Sequence, residues 1–223
     1  MCIDQRTSLN SFIFSVCISI FLIFRNKQFD VGNAAFIISF TTIQLLEYYI
    51  WKSIDNNNKS DNEYYTRLVP LVLFIQPIVQ TYFSWKITNN NLLFNLLIVY
   101  ILIFLFTLTT INNFEYQSEV GENKHLIWYK TKVNFSLPLY KTKTDKTKVN
   151  PKEKTIVIQR FIFGYIYLLG LGIGLYFTQQ YTLLLYGILS FMYIWKNYPE
   201  DEFSSMWCFV AIYYSILALM INF

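Results

Sequence analysis

Apolar residues in this chain fall in long unbroken blocks rather than in alternating stripes. A membrane-spanning helix needs about 20 largely apolar residues, within a range near 17–25. Blocks approaching that length run Leu9–Phe24, Asn33–Trp51, Leu68–Trp85, Leu92–Ile111, Ile156–Phe177, Tyr181–Trp195 and Ser205–Phe223. The third contains Pro70 and Pro77, the fourth is the most uniformly apolar, and the sixth is short. The first block is followed by Arg25-Asn26-Lys27 and no small-residue cleavage site, so it reads as a retained helix and not a signal peptide. Only helices and closed barrels satisfy every backbone group in lipid, and these blocks are too long and too continuously apolar for barrel strands. The expected fold is all-α, a single membrane domain over 1–223 built as a bundle of about seven transmembrane helices.

One polar stretch interrupts the pattern, from Asn112 to Lys154 between helices four and five. Within it, His125 to Tyr140 carries an alternating run (Val133, Phe135, Leu137) with the period of a short strand or hairpin. Lys141 to Lys154 is rich in Lys and Thr and reads as a solvated linker, with attraction to anionic headgroups as its functional alternative. The Asn56–Asn58 and Asn89–Asn91 triplets punctuate loops.

Composition sharpens this picture. Charged residues make up 14% of the chain, against about a quarter in a soluble domain. The three cysteines, Cys2, Cys17 and Cys208, form neither a disulfide framework nor a zinc-finger spacing. The net charge of +4 is not a nucleic-acid footprint, because the basic residues lack interleaved stacking aromatics. Trp51, Trp85, Trp195 and Trp207 stand at block ends, where tryptophan favours the membrane interface. Over seven spans, one side holds Arg6, Lys52, Lys59, Arg67, Lys196, Arg160 and nine lysines between Lys124 and Lys154. The other side holds Arg25, Lys27 and Lys86, so Lys and Arg divide 15 to 3. Basic loops stay inside, which predicts a cytoplasmic N-terminus and an exoplasmic C-terminus.

Ionisable residues inside a span are costly and point to function. Glu47 is the acidic residue well inside these blocks, and Gln44, Glu47 and Trp51 at i, i+3 and i+7 share one helix face. Gln76 and Gln80 share a face of the third helix; their plainer reading is interhelical hydrogen bonding. His125 is the single histidine. Topology brings Cys2, Glu47, Pro70, His125, Trp128, Ser205, Trp207 and Cys208 to the cytoplasmic end. Cys2, Glu47, His125 and Cys208 include the side-chain types that bind zinc; the plainer readings are packing for Cys208 and an unmodified or acylated residue for Cys2. Gly170-Leu171-Gly172-Ile173-Gly174 has the GxxxG spacing of close helix packing. The last block lacks the lysine of a retinal Schiff base, and no phosphate loop, serine elbow or His-Glu-x-x-His motif is present.

Met1-Cys2, Gln44-x-x-Glu47-x-x-x-Trp51, Gln76-Pro77, His125-Leu126-x-Trp128 and Ser205-Met206-Trp207-Cys208 follow one another in this order. Together they resemble an uncharacterised family of small multi-pass membrane proteins of bacteria and large DNA viruses. The chain departs from that pattern at Ile3-Asp4, where the family reads Phe-Ser. The resemblance implies no activity, but its motif residues coincide with those singled out above.

These observations lead to a polar pocket in the cytoplasmic half. Glu47 is its general base or ligand, Gln44 its orienting partner, and His125 its second catalytic candidate. Zinc or another divalent metal would sit on Cys2, Glu47, His125 and Cys208, and the substrate would be a lipid or small amphiphile from the surrounding bilayer. Two alternatives stay open. One is a transporter or channel-like pathway through Glu47, Gln76 and Gln80; the other is a structural protein, for instance of a viral envelope, in which the polar residues tie helices together. The orientation makes a direct prediction. The Asn58-Lys59-Ser60 and Asn134-Phe135-Ser136 sequons face the cytoplasm and remain unmodified when the chain is expressed in eukaryotic membranes; a glycan at either one, seen by glycosidase-sensitive mobility, reverses the topology.

Overall fold

The computed structural model describes residues 4–121, 123–132, 156–157, 162–197 and 203–221; for 129–132, 156–157, 162–167 and 203–209 it describes the backbone alone. Among the described residues the chain forms α1 (Gln5–Arg25), α2 (Asp30–Asp55), α3 (Lys59–Thr88), α4 (Asn91–Thr110), α5 (Ile162–Phe177), α6 (Tyr181–Asn197) and α7 (Phe203–Ile221). Between α4 and α5 lie a single 3-10 turn and strands β1 (Phe114–Val120), β2 (Leu126–Lys132) and β3 (Ile156–Val157). Four helices, α1 to α4, are long and apolar enough to cross a membrane.

Asparagine and aspartate set the helix ends. Asp4 caps α1 by accepting the Thr7 N–H at 2.6 Å, and that bond holds its carboxyl below the ordinary carboxylate range. Asn58 and Asn90 cap α3 and α4 through their side-chain oxygens. Asn26 and Asn89 end α1 and α3 with φ of 49° and 50°, a left-handed conformation that asparagine tolerates. Their N–H groups return to the carbonyls of Leu22 and Trp85. The asparagine triplets are thus stop and start signals.

Packing arranges five helices in a closed ring, α2–α3–α5–α6–α7 and back to α2, with α1 outside against α2 and α7 and α4 outside against α3. The outer position of α4 follows from its uniformly apolar surface, which leaves Leu102, Leu105 and Phe106 exposed. α1 meets the bundle along Ser8, Ser11, Ser15, Ile18, Ser19 and Leu22, all buried; small residues at this spacing let backbones approach closely. The Gly170–Gly174 motif acts in the same way for α5. A Cβ at Gly170 would lie 2.6 Å from the Tyr100 hydroxyl oxygen and 2.7 Å from Pro77 Cβ, and one at Gly174 would lie 2.7 Å from Ser84 Oγ.

A fork joins three helices at one end. Arg25 Nε and Nη2 donate to the two Asp30 carboxylate oxygens at 2.8 and 2.7 Å, and Nη1 donates to the Leu219 carbonyl oxygen at 2.8 Å. The ends of α1 and α7 therefore lie beside the start of α2. The start of α7 points the opposite way, and α7 packs against β2.

Several elements differ from the sequence expectation. α3 starts at Lys59 rather than Leu68, because its polar first turns pack on β1 instead of entering hydrocarbon. The hairpin is β1–β2, in register from Phe114↔Lys132 to Val120↔Leu126; the expected run Val133, Phe135, Leu137 lies outside the described residues. Ile156 and Val157 do not open the fifth helix but pair with Lys130 and Tyr129. Trp51 is not an interface anchor: it is 6% exposed and packs in the core, whereas Trp195 is 59% exposed. The glycine contacts carry a test. Gly170→Ala should destabilise by about 1–3 kcal/mol, the usual penalty of overpacking. Gly187→Ala, whose Cβ meets nothing within 4 Å, should be neutral or stabilising in the same detergent unfolding measurement.

Candidate functional site

The hairpin closes one end of the bundle. On β1 the burial alternates, with Tyr116 and Ser118 inward and Glu115, Gln117 and Glu119 outward, as the period of a strand requires. Ser118 locks the strand to α3. Its N–H donates to Asn62 Oδ1 at 2.8 Å, its carbonyl accepts from Asn62 Nδ2 at 3.1 Å, and its hydroxyl lies 2.6 Å from Thr66 Oγ1. Asn62 pairs the outer backbone edge of β1 much as another strand would, and α3 covers that edge.

Beneath the hairpin lies one apolar cluster. It joins Ile43, Leu46, Ile50 and Trp51 of α2, Val69 of α3, and Ile111, Tyr116, Leu126 and Trp128. Burial pushes the Tyr116 phenol up to about 12, so it stays protonated and neutral in this setting. Glu47 sits on α2 between these cluster residues and is fully buried. Gln44, one turn away, is equally buried and accepts the Thr41 hydroxyl on its carbonyl oxygen at 2.5 Å. That bond assigns Gln44 its amide NH2 as the onward-facing end, a donor suited to a carboxylate. His125 ends the β1–β2 turn, its carbonyl accepting the Gly121 N–H at 2.7 Å, with a side chain that is also buried.

Two donors in this cluster stand out. The indole N–H groups of Trp51 and Trp128 are buried and have no hydrogen-bond partner among the described residues. An indole nitrogen can only donate, and leaving a buried donor unmade costs about 1–3 kcal/mol. The cluster therefore holds donor capacity beyond what its described residues use.

The structure brings Gln44, Glu47, Trp51, His125 and Trp128 to the same closed end. Cys2 lies outside the described residues. Ser205, Trp207 and Cys208 fall in the first turns of α7, the end that faces β2, but their side chains lie outside the described part. Among the described residues no three of His, Cys, Asp and Glu come together as a metal site, so Glu47 and His125 would need the two cysteines to complete one. Gln76 and Gln80 are buried elsewhere on α3. Gln80 is pressed onto α5, its Cγ and Nε2 standing 3.1 and 3.3 Å from the position of a Gly174 Cβ.

Sequence reasoning singled out Glu47 and Gln44 from their depth in an apolar block. It missed Thr41, Asn62, Ser118 and Asp30. Asn62 and Thr66, four apart and one helical turn before an apolar run, carried the available signal; Ser118 had none, because a strand partner is fixed only by the fold. Comparison of the chain with family models, with curated proteins and with solved structures gives no match. The clip between Asn62 and Ser118 predicts that Asn62→Ala loosens the hairpin at a cost of about 1–3 kcal/mol. Amide exchange across β1 should then quicken, while exchange in α5 and α6 stays unchanged.

Proposed function

We propose that this chain is a seven-span membrane protein that binds a lipid or small amphiphile at the bundle end closed by the hairpin and hydrolyses it. The observation that carries the reading is the pair of unpartnered indole donors, Trp51 and Trp128, in the cluster that surrounds the Glu47 turn. A substrate that presents ester or phosphate oxygens offers acceptors to both donors, and its apolar body would pack against the Ile and Leu side chains of the cluster. Glu47 is the general base in this reading, oriented by Gln44, and His125 is the acid–base partner. A zinc or other divalent ion on Glu47, His125, Cys208 and Cys2 would lower the pKa of a bound water.

Seven spans are supported by the ring, in which α5, α6 and α7 complete a bundle begun by α2 and α3. The outward residues of α6, Leu185, Leu189 and Met192 among them, are exposed and apolar, as a lipid-facing surface requires. In this reading the hairpin and the N-terminus lie on the cytoplasmic side, the side on which the excess of Lys and Arg is expected. The resemblance to the viral and bacterial membrane family fits this reading without adding an activity. A transport pathway through Gln76 and Gln80 has less support, because Gln80 and Ser84 are packed onto Gly174 and tie helices together.

The test uses protein purified in mild detergent without chelators, assayed against a panel of ester, amide and phosphodiester lipids. Glu47→Gln should fold normally and lose 10²–10⁴-fold in kcat, roughly the contribution of a general base. Trp51→Phe should raise KM more than it lowers kcat. Wild-type protein that turns over no member of the panel and contains no stoichiometric metal would sink the hydrolase.

A further inference from the structure

Arg67 and Asn112 mark one boundary on two neighbouring helices. Arg67 is the last charged residue of α3 before the apolar run that starts at Leu68, and Asn112 opens the polar stretch that follows α4. Arg67 Nη1 reaches Asn112 Oδ1 at 3.5 Å, which sets the two boundaries at one level. α3 and α4 are both long and apolar enough to cross a membrane, so this level is where hydrocarbon gives way to headgroups.

The Arg67 guanidinium has donor capacity in reach of the surface. Nη2 donates to Glu63 Oε1 at 2.6 Å, one turn back on the same helix. The two side chains are 33% and 36% exposed, and a pair of that kind on a helix surface is worth little. The contact of Nη1 with Asn112 is at the long limit of a hydrogen bond. Arg25 is the contrast: it is 10% exposed and its three nitrogens donate at 2.7–2.8 Å. Asn112 is exposed, and with its carbonyl oxygen toward Arg67 it turns its amide NH2 end away as a further donor.

More positive charge stands close by. Strand register sets Lys132 and Lys130 opposite Phe114 and Tyr116, and the Arg67 charge reaches the Tyr116 phenol, where it opposes the effect of burial. On the hydrocarbon side of this level the last turns of α4 expose Leu105, Phe106 and Leu108.

We infer that the junction of α3, α4 and the hairpin binds an anionic phospholipid, with Arg67 and Asn112 donating to its phosphate oxygens and its acyl chains lying along the exposed end of α4. Glu63 engages one guanidinium nitrogen, whereas a phosphate accepts from two in parallel. A zwitterionic headgroup would bring its own cation to a junction that already holds Arg67, Lys130 and Lys132, so the anionic class is selected. The site lies apart from the fully buried Glu47 and depends on no reaction there.

The experiment titrates the full chain in dodecylmaltoside with dioleoylphosphatidylglycerol or dioleoylphosphatidylcholine and counts bound lipids by native mass spectrometry. The first phosphatidylglycerol should bind about fivefold more tightly than the first phosphatidylcholine. Arg67→Gln should weaken phosphatidylglycerol about tenfold, the loss of a charge-assisted hydrogen bond. Glu63→Gln should strengthen it roughly threefold, because the guanidinium is released from its internal partner. Both residues are partly exposed, so both variants keep the fold, which far-UV circular dichroism and thermal unfolding check. Glycerol 1-phosphate at the same concentration should not displace the lipid, since it lacks the acyl chains. Equal binding of the two lipids by wild type overturns the proposal. So does a preference that Arg67→Gln leaves intact, which would trace to other lysines, or one that Glu63→Gln weakens along with Arg67→Gln, which would make the pair merely structural. Displacement by glycerol 1-phosphate would assign the junction to a free phosphate and overturn the lipid.

Discussion

One buried face of α3 holds the hairpin, α2 and α5 together. Asn62, Thr66, Val69, Gln76, Gln80 and Ser84 repeat at helical spacing and are all buried. In hydrocarbon such a face cannot be left to the solvent, because each polar group there needs a partner or a close neighbour. β1 meets its first turns, α2 lies beside Val69, and α5 covers its last turns with Gly170 and Gly174. The two glycines are the consequence of this: without side chains there, α5 comes near enough for Gly170 to meet Tyr100 and Pro77 and for Gly174 to cover Gln80 and Ser84.

The two ends of the bundle solve different problems. At the Arg25 end, a carboxylate with no exposed surface is matched by a guanidinium fork and by the Lys27 backbone N–H. A bidentate pair with its third guanidinium nitrogen donating to the Leu219 carbonyl is the geometry in which a buried charge is tolerated. At the hairpin end the polar groups are neutral amides and hydroxyls clipped to a strand, and Glu47 is enclosed below them. The first end is saturated and reads as structure. The second retains two buried indole donors, Trp51 and Trp128, with no partner among the described residues.

The sequence by itself determined the helical blocks, because a helix in lipid is written as an uninterrupted apolar run and its ends as asparagine and aspartate signals. It also determined that Glu47 and Gln44 share a face, since helical spacing is a local property. It did not determine which way Trp51 looks: a residue at a block end is an interface anchor or a core residue depending on what packs against it, and only the hairpin made it core. Nor did it reveal the Asn62–Ser118 clip, the Arg25–Asp30–Leu219 fork or the void at Gly187. Each of these joins residues far apart in the chain, or records the absence of a neighbour, and neither leaves a local pattern. The strands were half legible: β2 falls in the stretch after His125 expected to form a hairpin, whereas Phe114-Glu115-Tyr116-Gln117-Ser118-Glu119-Val120 alternates in the sequence but names no partner until the fold sets α3 and β2 beside it.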